Sequence, residues 1–412
     1  MTTDVVVMTA SSQATTGMAG LLEPGAQLGY AVAGDAAILI AMVKAEQSWL
    51  EVLVAVGAAS TELPSQLSGA LVNRPLDRGA IAARTADGGN PVIPLVDDLR
   101  SRLGEGGHAV HRGLTSQDIL DTAMMLVTRA ALDDVTVSLQ RLGDALARHA
   151  EAHRESVMAG RTLTQYAVPT TFGLKAAQWL TSVDEVLTDV ETVRAGLPIQ
   201  CGGAAGTLAG IQAVGPEPRA LAQAWADSLD LRWPGSPWHT RRRPITRIGD
   251  VLAAVISTLG HLGTEITTLS RPEIGEVSEG LSEQQGRSST MPHKRNPVGS
   301  VLIRAAGLQA GPLAGLLHQC AALAVDERSD GAWHAEWPTL QRLLVLAVTS
   351  AAQAATMLER LQVHADVMSA RVDAVAETLL SERRGLTCRA DPGADSTGQG
   401  PSQLPAADYL GA

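Results

Sequence analysis

Ser288, Ser289, Lys294 and Asn296 fall within nine consecutive positions of the stretch Gly286 to Pro297. Glycine precedes them, Pro292 and Pro297 bracket the lysine, and apolar residues that could bury the segment are nearly absent. Such a stretch is neither a core strand nor an amphipathic helix. It reads as an ordered loop that holds a hydroxyl beside fixed cations. That grouping suits removal of a proton from carbon next to a carboxylate. The resulting carbanion is a dianionic enediolate, which needs fixed positive charge and hydrogen-bond donors at its carboxylate. Ser288 is the candidate base. A hydroxyl is too weakly acidic to act unaided. Lys294, the loop amides, Arg287, His293 and Arg295 are the groups able to favour its alkoxide.

Thr115-Ser116-Gln117-Asp118 puts two hydroxyls and an amide at a helix start. A helix N-terminus seats a carboxylate, and Ser116 or Asp118 would serve equally well as an N-cap. Arg161, Thr162 and Gln165 are able to bind a carboxylate, with helix-end hydrogen bonding the equal alternative for Thr162. Gly202 to Thr207 is glycine-rich, but no lysine follows in phosphate-loop spacing, so it reads as a tight backbone approach. His108 and His111 have a metal-binding spacing, yet the sequence places no further ligand, so no metal is expected.

The stretch GRSSTMPHKRNP is similar to the GSSxMPxKxNP signature of the fumarase/aspartase superfamily. HRGLTSQDILDTA (His111 to Ala123), GRTLTQYAVPTTFGLK (Gly160 to Lys175) and GGAAGTLA (Gly202 to Ala209) agree with it. PWHT (Pro237 to Thr240) and WHAEW (Trp333 to Trp337) resemble the bacterial 3-carboxy-cis,cis-muconate cycloisomerase branch. The likeness runs from Leu21 to Glu382. It implies that Ser288, the first serine of the pair, is the base, and that Lys294 and Asn296 hold the carboxylate and its enediolate. It implies substrate-binding roles for His111, Thr115, Ser116, Gln117, Arg161, Thr162, Gln165 and Arg328, the last from the pair Glu327-Arg328. It further implies a homotetramer around a central helical bundle, with each site drawn from three subunits. No cofactor is implied. The partners implied are a small anionic di- or tricarboxylate substrate and further copies of the chain.

The activity implied is interconversion of 3-carboxy-cis,cis-muconate and carboxymuconolactone, a step of aromatic catabolism in the β-ketoadipate pathway. Leu163 stands where relatives that expel a nitrogen group carry a histidine. Leucine cannot move a proton, so the leaving group should depart as a stable anion. A carboxylate released by lactone opening needs no acid. The alternative is a lyase that frees fumarate from a substituted succinate such as nitrosuccinate, with nitrite leaving. Arg112, Asp326, the run Arg241 to Arg243 and the short C-terminus depart from the cycloisomerase pattern and keep that alternative open. A non-catalytic helical scaffold is the third reading. Ser288, Lys294 and Asn296 speak against it, since a scaffold has no need of them.

The elements that must position these groups read as helices. Asp35 caps a helix that stops at Gly57, and the stretch from Gly88 to Pro94 reads as a loop. Proline is absent from Asp118 to Ser156, where Ile119, Leu126, Val135, Leu139, Leu142 and Leu146 mark a long helix. Further long helices are expected after Pro169 to Ala195, over Arg247 to Arg271, from Pro297, and over Ala335 to Val363. The fold class is all-α: a long-helix bundle of the fumarase/aspartase type with an abbreviated C-terminal region. The expected domains are residues 1–114, 115–363 and 364–412. Residues 1–34 read as irregular, and 381–412 as loop or disorder.

Composition agrees. Of the 412 residues, 45% are hydrophobic but only 3% aromatic, so the core is built from Ala, Leu and Val. A net charge of −11 argues against nucleic acid as the main partner. Cys201, Cys320 and Cys388 form no disulfide framework, which fits a reducing cytoplasm. No basic leader and no uninterrupted membrane-length apolar run is evident, so a soluble chain without membrane partners is expected.

Overall fold

The computed structural model describes residues 20–282, 285–291 and 293–381. Five long helices dominate: Ser116–Ala152, Phe172–Ala195, Arg243–Leu269, Val298–Ala322 and Gly331–Arg360. Strands are confined to two small antiparallel pairs among the described residues, Val157–Thr162 with Gln165–Thr171 and Val277–Ser278 with Gln362–Val363. The all-α expectation holds. Ala, Leu and Val can pack helices closely, and no alternating run of β-formers exists to build a larger sheet.

The chain forms two compact units, each from non-contiguous stretches. The first takes residues up to Val135, Asp189–Ala253 and Gln309–Thr349. The second takes Thr136–Thr188, Ala254–Leu308 and the chain from Ser350. Several boundaries therefore fall inside long helices rather than at loops.

Local expectations needed correction at four places. Asp35 is the first helical residue of Asp35–Ala55, not its cap; Gly34 is the cap and has no side chain to contribute. Residues 27–33 are helical, not irregular. The expected loop from Gly88 to Pro94 shrinks to Gly89–Pro91 between the helices Arg78–Gly88 and Val92–Leu103, because Gly89 takes a left-handed φ of 71° that ends the first helix within one residue. Finally, the helices Gln27–Ala55, Arg243–Leu269 and Val298–Ala322 are long and apolar enough to cross a membrane by length and composition alone. Cys388 and the stretch 382–412 lie outside the described residues.

In the first unit, Trp49 and Trp225 meet edge to face with centroids 5.5 Å apart. Their indole N–H groups donate to the carbonyls of Arg112 and Ala45. In the second unit, Val157, Ala159, Val372 and Leu379 form a small core that seats the short helix Ala365–Ala374 against the strand pair.

A buried charge cluster ties three stretches of the first unit together. Arg242 is fully buried and donates to Asp121 at 2.6 and 3.1 Å and to Glu336 at 2.6–3.1 Å. Its guanidinium also lies 4.8 Å from the Trp238 ring centroid, and Trp333 donates to Asp121 at 2.9 Å. Burial alone would lower the Arg242 pKa, but the two carboxylates outweigh it and the guanidinium is raised. Burial raises Glu336 despite Arg242, so the cluster strains toward neutrality at that carboxyl. Arg242→Met would leave both acids buried without their cation. It should lower unfolding free energy by about 3–5 kcal/mol in a denaturant titration; a loss below about 1 kcal/mol would show that the cluster does not hold these stretches.

Candidate active site

The signature loop lies in the second unit and is built around Ser288. Its Oγ accepts the backbone N–H groups of Met291 at 3.2 Å and Thr290 at 3.4 Å. Two amide dipoles thus point at the oxygen that would carry the alkoxide charge. Donors placed in this way are the kind that stabilise an oxyanion. Gly286 closes the loop with φ 67°, and a Cβ there would stand 2.5 Å from the Asn296 carbonyl oxygen. Any larger residue would force the loop open. The Asn296 N–H donates to the Gly286 carbonyl at 2.8 Å, and the Lys294 N–H to that of Met291 at 3.1 Å. Arg287 and Arg295 pair as an isolated antiparallel bridge. Ser288 and Asn296 are half-buried, and Lys294 is exposed.

Glu279 anchors the far end of this loop. Its carboxylate accepts the N–H groups of Gly299 at 3.1 Å and Ser300 at 2.7 Å, together with the Ser300 hydroxyl. It thereby caps the helix Val298–Ala322 and fixes where the loop must end. The sequence carries no signal that separates Glu279 from a surface acid.

The motif Thr115 to Asp118 lies in the first unit and forms one half of a capping box. Asp118 accepts the Thr115 N–H at 3.0 Å. Thr115 is therefore the residue before the helix Ser116–Ala152, and neither Ser116 nor Asp118 is the N-cap. The Thr115 hydroxyl is turned instead to Arg328, which donates to it at 2.8 Å. The structure thus joins two candidate ligands that lie 213 positions apart. Gln117 is fully buried and donates to Asp121 and to the His239 carbonyl, while its Oε1 has no hydrogen-bond partner among the described residues. Ser116 is half-buried beside them in the chain.

Asp118 does more than cap. It accepts the N–H groups of Gly202 and Gly203 at 2.9 Å each and meets His239 Nε2 at 3.0 Å. A Cβ on Gly202 would stand 2.7 Å from the His239 ring, which is the tight backbone approach expected of that glycine run. His111 is held by Glu46, whose carboxylate takes its N–H at 3.1 Å and its Nδ1 at 2.6 Å. Sequence reasoning missed Glu46 and Asp121. Their signal was available: each is an acid on the apolar stripe of a helix.

The residues from Arg161 to Gln165 are not a helix end. They form the tip of the strand pair, with Thr162 opposite Gln165 and Leu163 and Thr164 at φ 48° and 71°. Two successive positive φ values make a two-residue hairpin turn. Such angles are costly for a branched residue like Thr164 and are found where function or contact demands them. Leu163 is 96% exposed, and Thr162 and Gln165 are exposed beside it. Arg161 is already engaged: it donates to buried Glu276 at 2.7 and 3.0 Å, and Glu276 also pairs with Arg371 at 3.1 Å. The Glu276 hydrogen bonds raise the Arg161 pKa.

The remaining expectations resolve simply. Trp333 serves the buried cluster, while His334 bridges the carbonyls of Asp330 and Gly89. Arg112 donates to the Ala58 carbonyl, and Asp326 is an exposed turn residue with φ 53°. The candidate residues therefore fall into one group in the first unit and two groups in the second.

Comparison with known proteins gives this geometry its family. The sequence model of a lyase family matches residues 86–310. The chain is 44% identical over 380 residues to a nitrosuccinate lyase of Streptomyces davaonensis, covering 88% of this chain and 79% of that one. It is 37% identical over 311 residues to a 3-carboxy-cis,cis-muconate cycloisomerase of Bradyrhizobium diazoefficiens, covering 74% and 68%. The crystal structure of the 3-carboxy-cis,cis-muconate lactonizing enzyme from Pseudomonas putida superposes with a TM-score of 0.78 at 33% identity, covering 85% of this chain and 78% of that one. With a matching family model, relatives of this identity and coverage, and the same helical fold, the chain belongs to the fumarase/aspartase superfamily and is an enzyme of its lyase family.

Proposed function

We propose that the protein is a cycloisomerase that interconverts 3-carboxy-cis,cis-muconate and carboxymuconolactone. The observation that carries the chemistry is the pair of amides aimed at Ser288 Oγ. In the ring-opening direction, Ser288 as alkoxide takes the proton from the carbon next to a carboxylate. The electron pair moves into that carboxylate as an enediolate, which Lys294 and Asn296 stabilise. The enediolate then collapses, the ring C–O bond breaks, and the lactone oxygen leaves as a carboxylate. Arg328, Thr115, Ser116 and His111 bind the substrate's carboxylates, with Gln117 supporting them. Thr162 and Gln165 contribute from the hairpin tip, and Arg161 sets its position through Glu276. Leu163 offers no proton, which suits a leaving group that needs none.

A specific observation supports a second reading. The nitrosuccinate lyase relative is more identical and covers more of the chain than the cycloisomerase. Loss of nitrite would use the same base and the same enediolate, with a C–N bond breaking in place of the ring C–O bond. Both substrates should be offered to the purified enzyme and followed by ultraviolet absorbance, with nitrite assayed in parallel. Consumption of the muconate without nitrite release from nitrosuccinate is the expected outcome. The reverse pattern would replace the first reading with the second.

We also propose that the enzyme works in the cytoplasm as a homotetramer with shared sites. The helix Val298–Ala322 supports this. Val301, Leu308 and Leu316 lie about two turns apart along it and are exposed, Leu308 by 76%. Another copy of the same helix would bury them. The exposed hairpin tip at Leu163 likewise lacks a cover within its own unit.

Ser288→Ala should slow turnover by about 10²–10⁴, the usual worth of a general base, with an unchanged melting temperature. Near-normal turnover would move the base to another group, Ser289 first. Mixing inactive Thr115→Val protein with inactive Ser288→Ala protein should restore part of the activity, since some shared sites would then draw both intact residues from different subunits. No recovery after co-refolding of the two variants would count against shared sites.

A further inference from the structure

A pocket of about 390 Å³ opens in the first unit, and none of the candidate catalytic or substrate-binding residues lines it. Leu197 and Trp238 form part of an apolar floor. Four arginines line the rest, Arg232, Arg241, Arg243 and Arg247, and no acidic side chain does. In a chain of net charge −11 this is a local concentration of the opposite sign.

The four arginines are exposed at the pocket rim and stand on anchored backbone. The Arg232 N–H donates to the Leu197 carbonyl at 2.9 Å, and its own carbonyl accepts the Ile199 N–H at 2.9 Å. Arg241 is pinned through one terminal nitrogen to Ser236 Oγ at 2.7 Å and the Pro237 carbonyl at 2.9 Å. Arg243 and Arg247 stand one turn apart at the start of the helix Arg243–Leu269. Like charges at that spacing repel, and the positive end of the helix dipole adds to them. Asp250 reaches only Arg243, at 3.7 Å, and is shared with His318 at 2.7 Å. The guanidiniums of Arg232 and Arg247 have no hydrogen-bond or ion-pair partner among the described residues. Trp238, the floor, is fixed by Gln200 and by the Ile199 carbonyl.

Four arginines round one pocket, of which a carboxylate reaches only Arg243, above the buried Trp238, fit an anion. Each planar fork matches two oxygens of a phosphate or carboxylate. An anion would also relieve the repulsion between Arg243 and Arg247. We propose that this pocket is a second anion site, which binds a small molecule bearing at least two phosphate or carboxylate groups. It is independent of the reaction assigned to the signature loop.

Titration calorimetry on the full chain tests it, with pyrophosphate as the phosphate probe and citrate as the carboxylate probe. The probes are added to wild type, to the double variant Arg232→Gln/Arg247→Gln, and to Arg219→Gln as an exposed arginine outside the pocket. Wild type and Arg219→Gln should bind at least one probe alike. The double variant should bind it at least about tenfold more weakly, with the melting temperature and turnover of wild type. Raising salt from about 0.05 M to about 0.2 M should weaken wild-type binding, because exposed charges are screened over that range. Which probe binds tells phosphate from carboxylate. Absence of binding by both probes, equal binding by the double variant, or an equal loss in Arg219→Gln would overturn the proposal.

Discussion

The Arg242 guanidinium is the constraint on which the first unit depends. It is a permanent charge with no route to water, so it must be matched where it stands. Asp121 comes from the helix Ser116–Ala152 and Glu336 from the helix Gly331–Arg360, while Arg242 itself precedes the helix Arg243–Leu269. Three helices are thus placed by one cation. Asp118 stands one turn before Asp121 on the same face. From there it reaches the Gly202–Gly203 amides, the Thr115 N–H and His239. Two acids three positions apart therefore connect the hydroxyl motif, the glycine run and the tryptophan-histidine block. The Thr115 hydroxyl is left for Arg328.

The signature loop solves a different problem. A reactive hydroxyl must stay accessible, so burial cannot fix it. Its rigidity comes from main-chain bonds across the loop, from the closure that only Gly286 permits, and from Glu279 at the helix that follows. The amides that hold Ser288 Oγ are also the groups that would stabilise its charge.

Leu163 is placed by local geometry alone. At a hairpin tip with positive φ it has no packing partner in its own unit and no proton to give. Under the proposed reaction, a leaving group that departs as an anion would ask for neither.

The sequence by itself determined the class of fold, the five long helices and the polar, unburied character of the loop. Those properties are local: helical periodicity, the absence of proline from 118 to 156, and a polar stretch too rich in serine, lysine and proline to be buried. It also made the family legible, because GRSSTMPHKRNP is a contiguous string. Only the tertiary structure decided which charges are matched. Glu46 on His111, Glu276 on Arg161, and Asp121 and Glu336 on Arg242 are partners drawn from 65 to 121 positions away. It also placed the stretch Arg161–Gln165 at a hairpin tip, where helix-end bonding had been the alternative for Thr162, and gave Asp118 its amides. A buried charge selects its partner by proximity in the folded chain, and nothing in local spacing encodes that distance.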